Sequence, residues 1–159
     1  MKTNGFLGID IGTQGLSVIF TDTELKILAS GEGDYDMVSG LDSECYEQQP
    51  YDWENALKEA MTALREKTSS MQIDMDVLAI GISGQMHGEV LTSKGGEPVG
   101  PARLWCDGRN EAEGNELTER LGTKCPKRMT AVRCLWTIRN QPENAAHVSH
   151  MTTPACWIA

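Results

Sequence analysis

The chain has 159 residues, with 23 acidic against 14 basic side chains for a formal charge of −9, and 40% of its residues are hydrophobic. That length fits one domain, able to bury roughly 70% of its unfolded surface without help from a disulfide or a metal. The acidic balance repels nucleic acid over most of the surface, and no apolar stretch approaches the ~20 residues that span a bilayer, so neither nucleic acid nor membrane is expected as a partner.

Phe6 to Ile11 is apolar except for Gly8 and Asp10, and Leu16, Val18 and Phe20 alternate with smaller or flanking residues in a second strand, which predicts a hairpin. The turn Gly12-Thr13-Gln14-Gly15 suits an oxyanion: its glycines permit positive φ and let backbone N–H groups converge, and Thr13 adds a hydroxyl donor. Asp10, at the end of the first strand, is placed to hold a magnesium ion or its water shell opposite a phosphate. The same residues also fit an ordinary hairpin whose aspartate caps the turn. Lys26 to Asp36 supplies a third strand whose end is blurred by Gly31 and Gly33. Gly40 to Pro50 is a polar connection.

A helix is signalled from Tyr51 or Asp52 to about Lys67, with Trp53, Ala56, Leu57, Ala60, Met61 and Leu64 on one face; Trp53 belongs to the core. Val77 to Ser83 then runs as an almost continuous apolar strand, the pattern of a strand covered on both faces and reached by crossover. The order is β-β-β-α-β. At that strand's carboxyl end, where open α/β sheets bind ligands, stands Ser83-Gly84-Gln85-Met86-His87-Gly88. His87 is suited to donate to a substrate hydroxyl; alternatively Met86 packs in the core and His87 satisfies a backbone carbonyl.

Some twenty residues on, Arg103-Leu104-Trp105-Cys106-Asp107-Gly108-Arg109-Asn110 joins an aromatic plate, a carboxylate and a guanidinium. Trp105 can stack on the carbon face of a sugar while Asp107 accepts from its hydroxyls or caps a helix expected from about Arg109 to Leu121. On that helix Glu111, Glu113, Glu116 and Glu119 read as a solvated face. Val132, Leu135, Trp136 and Arg139 recur at helical spacing as a packed helix closed by Pro142. His147 and His150 lack a third metal ligand at sensible spacing and read as loop. Cys45, Cys106, Cys125, Cys134 and Cys156 are odd in number with no C-x-x-C pair, which argues against a disulfide framework or a zinc knuckle and favours a reducing cytoplasm.

GIDIGTQG, ISGQMHG and LWCDGRN, in that order and at those separations, resemble the amino-terminal region of the FGGY carbohydrate kinases over nearly the whole chain. The Gln-Met-His-Gly and Leu-Trp-x-Asp-Gly-Arg pair is most similar to the members that phosphorylate D-xylulose. The resemblance implies an α/β fold: an actin-like ATPase (ribonuclease-H-like) domain over residues 1–159, a mixed sheet with an opening β-meander and flanking helices. It implies ATP and Mg2+ as cofactors and a small sugar, a ketose or polyol, as substrate, with a homodimer left open. It places Asp10 by the metal, Gly12, Thr13 and Gln14 at the ATP phosphates, and Met86, His87, Trp105 and Asp107 around the sugar; Arg109 fits a structural ion pair as readily as a contact. The family's catalytic base is an aspartate beyond residue 159 and its adenosine site lies in a second domain, so the chain reads as the front part of a kinase, inactive alone.

Two departures stand against the pattern. Cys106 replaces the usual asparagine or glutamine, and Thr152-Thr153-Pro154-Ala155 stands where a Leu-Pro-Lys-Asp type segment is usual. An ATP-driven scaffold or chaperone, which shares the Asp-x-Gly-Thr hairpin, and a non-catalytic sugar-binding module are the alternative readings.

Overall fold

The computed structural model describes residues 2–159, and the chain divides into two compact units. One runs to Asp36 and resumes over Tyr51–Gln85, with Ile158–Ala159; the other comprises Met37–Pro50 and Met86–Trp157.

The first unit is built on β1 (Lys2–Ile11), β2 (Gly15–Asp22), β3 (Ile27–Asp34) and β5 (Asp74–Gly84), in the sheet order β3-β2-β1-β5. β1 pairs antiparallel with β2, β2 antiparallel with β3, and β1 parallel with β5. A parallel neighbour requires a crossover, and helix α1 (Pro50–Ser70) supplies it. Period-two alternation puts Leu7, Ile9, Ile11, Leu16, Val18, Phe20 and Ala29 inside, and the helical stripe Trp53, Ala56, Ala60 and Leu64 is buried with them. Gly31 and Gly33 do not blur β3. They are the ground α1 rests on, since a Cβ at Gly31 would collide with the Ala60 carbonyl and one at Gly33 with that of Ala56.

The expectation that Val77–Ser83 is covered on both faces is not met. β5 is one of the two edge strands, and Val77, Leu78 and Ile80 are 42%, 54% and 59% exposed, because α1 packs over the other, β3, and leaves β5 bare among the described residues. A bare apolar edge strand is an aggregation site. Leu78→Glu combined with Ile80→Glu is therefore expected to reduce light scattering on heating and binding of an apolar dye, at a stability cost within about 0.5 kcal/mol per substitution. Unchanged scattering would show that this strand does not drive association.

The second unit carries two short antiparallel ladders. β4 (Glu47–Gln48) pairs with β7 (Ala102–Arg103), and β6 (Val90–Thr92) with β8 (His150–Thr152). A bridge between Glu89 and Arg103 extends the strand arrangement. Around them lie α2 (Glu111–Leu121), α3 (Thr130–Asn140), the short α4 (Pro142–Ala145) and α5 (Pro154–Ile158), which runs on into the first unit. α2 starts at Glu111, with Asn110 rather than Asp107 at its N-cap, and ends on Gly122 in the left-handed region. Its acidic residues are not one solvated face: Glu113 is buried, while Glu116 pairs with Arg139 at 2.6 Å. The buried stripe of α3 is Val132, Arg133 and Thr137, whereas Leu135 and Trp136 are half-buried and Arg139 is exposed. His150 lies in β8 opposite Thr92, and both His147 and His150 are exposed. Among the described residues, no helix is long and apolar enough to cross a membrane.

Candidate functional site

The register Asp10↔Ser17 and Ile11↔Leu16 brings β1 and β2 together tightly, leaving Gly12 to Gln14 as the turn. Neither Gly12 nor Gly15 takes a positive φ. Their lack of a side chain serves close approach instead: a Cβ at Gly12 would lie 3.0 Å from the Gly15 carbonyl oxygen, and one at Gly15 would lie 3.2 Å from that of Gly33. The Gly12 N–H is spent inside the turn, donating to the Gly15 carbonyl at 2.9 Å. Thr13 is half-buried and Gln14 exposed.

Beneath the turn sits a residue that sequence reasoning passed over. The buried Tyr35 directs its hydroxyl at the Gly12 and Gly15 carbonyl oxygens, 2.5 and 3.0 Å away. Burial pushes its phenol well above the usual range, and the negative charge of Asp10 adds to the shift, so the proton stays in place to be shared between the two carbonyls. Tyr35→Phe is expected to cost about 1 kcal/mol, the net worth of one buried hydrogen bond, lowering the melting temperature by roughly 2–4 °C. An unchanged melting curve would mean that the hydroxyl does not hold the turn.

Asp10 is exposed and lines a shallow, mainly apolar depression of about 400 Å³, with Ser17 and Ser83 as its other polar side chains beside Ile9, Ile19, Ile82 and two glycines. Among the described residues no three acidic, histidine or cysteine side chains cluster as a metal cage. One carboxylate beside two hydroxyls is nevertheless the donor set that suits Mg2+, which keeps most of its waters and takes its other ligands from phosphate. These residues fit that ion.

The second unit presents a different chemistry. Met86 is 72% exposed, so it does not pack in a core, and Trp105 is 47% exposed. His87 is exposed as well, with its backbone in the left-handed region at φ 58° and its carbonyl oxygen accepting from the Arg133 guanidinium.

Asp107 lies the other way: it is 1% exposed and its carboxylate is fully occupied. The Arg109 guanidinium donates to it at 2.7 Å, the Tyr46 N–H at 2.9 Å and the Arg109 N–H at 3.2 Å. Burial alone would raise this carboxyl, but the Arg109 and Tyr46 hydrogen bonds outweigh it and hold it below the usual carboxylate range. Asp107 caps no helix. It fixes the segment bearing Trp105 to the strand segment around Tyr46. Arg109 also reaches Glu47 at 2.6 Å, which makes it a structural ion-pair residue.

A second pair lies deeper. Arg103 meets Glu89 at 2.5 Å with side chains 4% and 1% exposed, and also donates to Thr137 Oγ1 and the Arg133 carbonyl, both at 2.7 Å. The Trp136 ring lies against both guanidiniums, 4.5 Å from that of Arg103 and 5.1 Å from that of Arg109. Glu47, Glu89 and Arg133 carry no motif that marks them in the sequence. The nearest signal is a charged residue beside an apolar position of a helix, as Arg133 stands next to Val132.

The model of the FGGY family of carbohydrate kinases, N-terminal domain, matches residues 6–159. The chain is 32% identical over 162 residues to a xylulose kinase of Haemophilus influenzae, covering 94% of this chain and 33% of that protein. It is 33% identical over 160 residues to a xylulose kinase of Escherichia coli, covering 96% of this chain and 32% of the relative. Among solved structures, a xyloylose kinase from Brucella ovis superposes with a TM-score of 0.89 at 28% identity, over 97% of this chain and 32% of that one. A xylulose kinase from Rhodospirillum rubrum, at 18% identity and a TM-score of 0.88, covers 97% of this chain and 33% of its own, and speaks to the fold alone. The chain spans about a third of the length of these relatives. Its fold is that of the actin-like ATPases to which the sugar kinases belong. The chain belongs to the FGGY family of carbohydrate kinases, whose N-terminal domain it carries over residues 6–159.

Proposed function

We propose that this chain is the amino-terminal part of a cytoplasmic, ATP-dependent carbohydrate kinase that converts D-xylulose to D-xylulose 5-phosphate. The observation that carries the reading is 32–33% identity to xylulose kinases over nearly the whole chain. The geometry supports it. Met86, His87 and Trp105 stand open to solvent on one unit, and the Asp10 carboxylate and Gln14 of the glycine turn stand open on the other.

In phosphoryl transfer the protein's work is positioning and electrostatics. Thr13 and Gln14 meet the ATP phosphates, with Gly12 shaping the turn rather than lending its own N–H. Asp10 holds Mg2+ or its water shell, and that ion, when bound, neutralises charge on the phosphoryl oxygens. Trp105 stacks on the sugar's carbon face and His87 donates to a hydroxyl, with Met86 packing beside it. Asp107 enters as the group that holds Trp105 in place, since its own oxygens are already taken. The base that deprotonates the sugar hydroxyl is an aspartate beyond residue 159, and the adenosine site belongs to a second domain.

The test is coupled ADP release by the complete protein across a panel of ketoses and polyols. Turnover is expected with D-xylulose, and negligible turnover from the 159 residues alone. ATP hydrolysis indifferent to sugar would overturn the reading in favour of an ATP-driven scaffold.

A further inference from the structure

We propose that Arg133 is a positioning residue for sugar recognition, holding the His87 backbone in the left-handed conformation that turns the imidazole outward. The inference rests on the reading of His87 as a sugar ligand.

Two observations meet at this point. His87 is a side-chain-bearing residue at φ 58°, a conformation that costs an L-residue roughly 1–2 kcal/mol unless its surroundings impose it. The surroundings include a guanidinium on α3 that is 0% exposed and donates through Nη1 to the His87 carbonyl. Among the described residues, the same guanidinium's buried Nε and Nη2 have no hydrogen-bond partner. Burial, and the positive Arg103 beside it, pull the group down to about 10.

A charge held at such cost is a poor way to fill a core. A methionine would occupy comparable space with no polar atom to desolvate. What the arginine does that methionine cannot is bind the His87 carbonyl. The next residues are fixed independently: a Cβ at Gly88 would lie 2.8 Å from the Pro154 ring, and the Glu89 N–H donates to the Arg103 carbonyl at 2.8 Å. The Arg133 backbone carbonyl in turn accepts from Arg103 at 2.7 Å, so α3 is tied to the same ladder that anchors the turn. The turn is thus held from both sides, and its exposed members, Met86 and His87, are left to face solvent.

Arg133→Met and Arg133→Lys in the complete protein test this. With Arg133→Met, KM for the sugar is expected to rise at least tenfold while KM for ATP stays within about twofold; Arg133→Lys, which keeps one donor, recovers part of the loss. A sugar KM within twofold of wild type, or equal losses for both substrates, would overturn the proposal. A second readout needs no activity. Backbone chemical shifts of His87 in the 159-residue chain are expected to leave the left-handed pattern in Arg133→Met, and an unmoved pattern would overturn it too. If the complete wild-type protein turns over no sugar, the kinase reading falls, while these shifts still decide whether Arg133 sets the turn. Should both variants fail to fold, the unaltered chain decides: hindered rotation of the Arg133 Nη groups, with proton contacts to the His87–Gly88 backbone, supports the role, and free rotation overturns it.

Discussion

Asp10→Asn in the complete protein is expected to lower kcat for sugar phosphorylation by about 10³-fold, with sugar binding changed less than twofold. The asymmetry follows from where the carboxylate stands. Asp10 is exposed at the carboxyl end of β1, beside the turn that Tyr35 props from below, while Met86, His87 and Trp105 belong to the other unit. If Asp10 is the Mg2+ ligand proposed above, losing it removes several kcal/mol of stabilisation of charge that develops only in the transition state, and about 4 kcal/mol corresponds to that rate factor. Asparagine keeps the shape and a neutral oxygen. The fold is therefore expected to survive, and excess Mg2+ to restore part of the rate. Steady-state kinetics against sugar, ATP and Mg2+, with sugar binding measured separately, check this. A tenfold or smaller loss, or a loss confined to the sugar KM, would remove Asp10 from the phosphate end of the reaction.

What the sequence disclosed and what it concealed divide along physical lines. The hairpin, the third strand, α1 and the parallel β5 were legible because each writes its own period, two or 3.6, over a contiguous stretch. Trp53 was legible as core for the same reason and is fully buried. The glycine turn was located correctly on a mistaken ground, since sequence shows where side chains are absent but not whether φ or proximity requires it. β5 was read as doubly covered because composition reports what a strand can tolerate on its faces, not what covers them. The buried polar residues of the second unit were concealed more deeply. Glu47 finds Arg109 across 62 positions and Arg103 finds Thr137 across 34, and neither pairing leaves a local pattern. An arginine at a helical core position, such as Arg133, looks like an interruption of periodicity until its partner is known. The motifs pointed to the exposed Met86, His87 and Trp105 and equally to Asp107, which is buried in hydrogen bonds, while its partners Tyr46 and Glu47 and the buried Arg133 emerged only from the fold.

The largest stability effect is expected at Glu89. Glu89→Leu leaves the Arg103 guanidinium, 4% exposed, without its counter-charge, and breaking a buried pair in this way costs about 3–5 kcal/mol. In a chain of this size that lowers the melting temperature by roughly 10 °C. The pair itself does not owe its presence to surplus attraction. Burial pushes the Glu89 carboxyl above its ordinary value even with Arg103 beside it, so the attraction does not cover the desolvation of the carboxylate. Replacing both partners, Glu89→Leu with Arg103→Met, is accordingly expected to recover most of what the single change loses, apart from the Trp136 contact and the bonds to Thr137 and the Arg133 carbonyl. Urea unfolding followed by tryptophan fluorescence, which reports the second unit through Trp105, Trp136 and Trp157 and the first through Trp53, gives the four corners of the cycle. Additive losses in the double variant would show that each residue acts through separate contacts. Recovery of stability with the sugar KM still raised would show instead that this ion pair, as proposed for Arg133, is retained for the geometry of the His87 turn rather than for the strength of the fold.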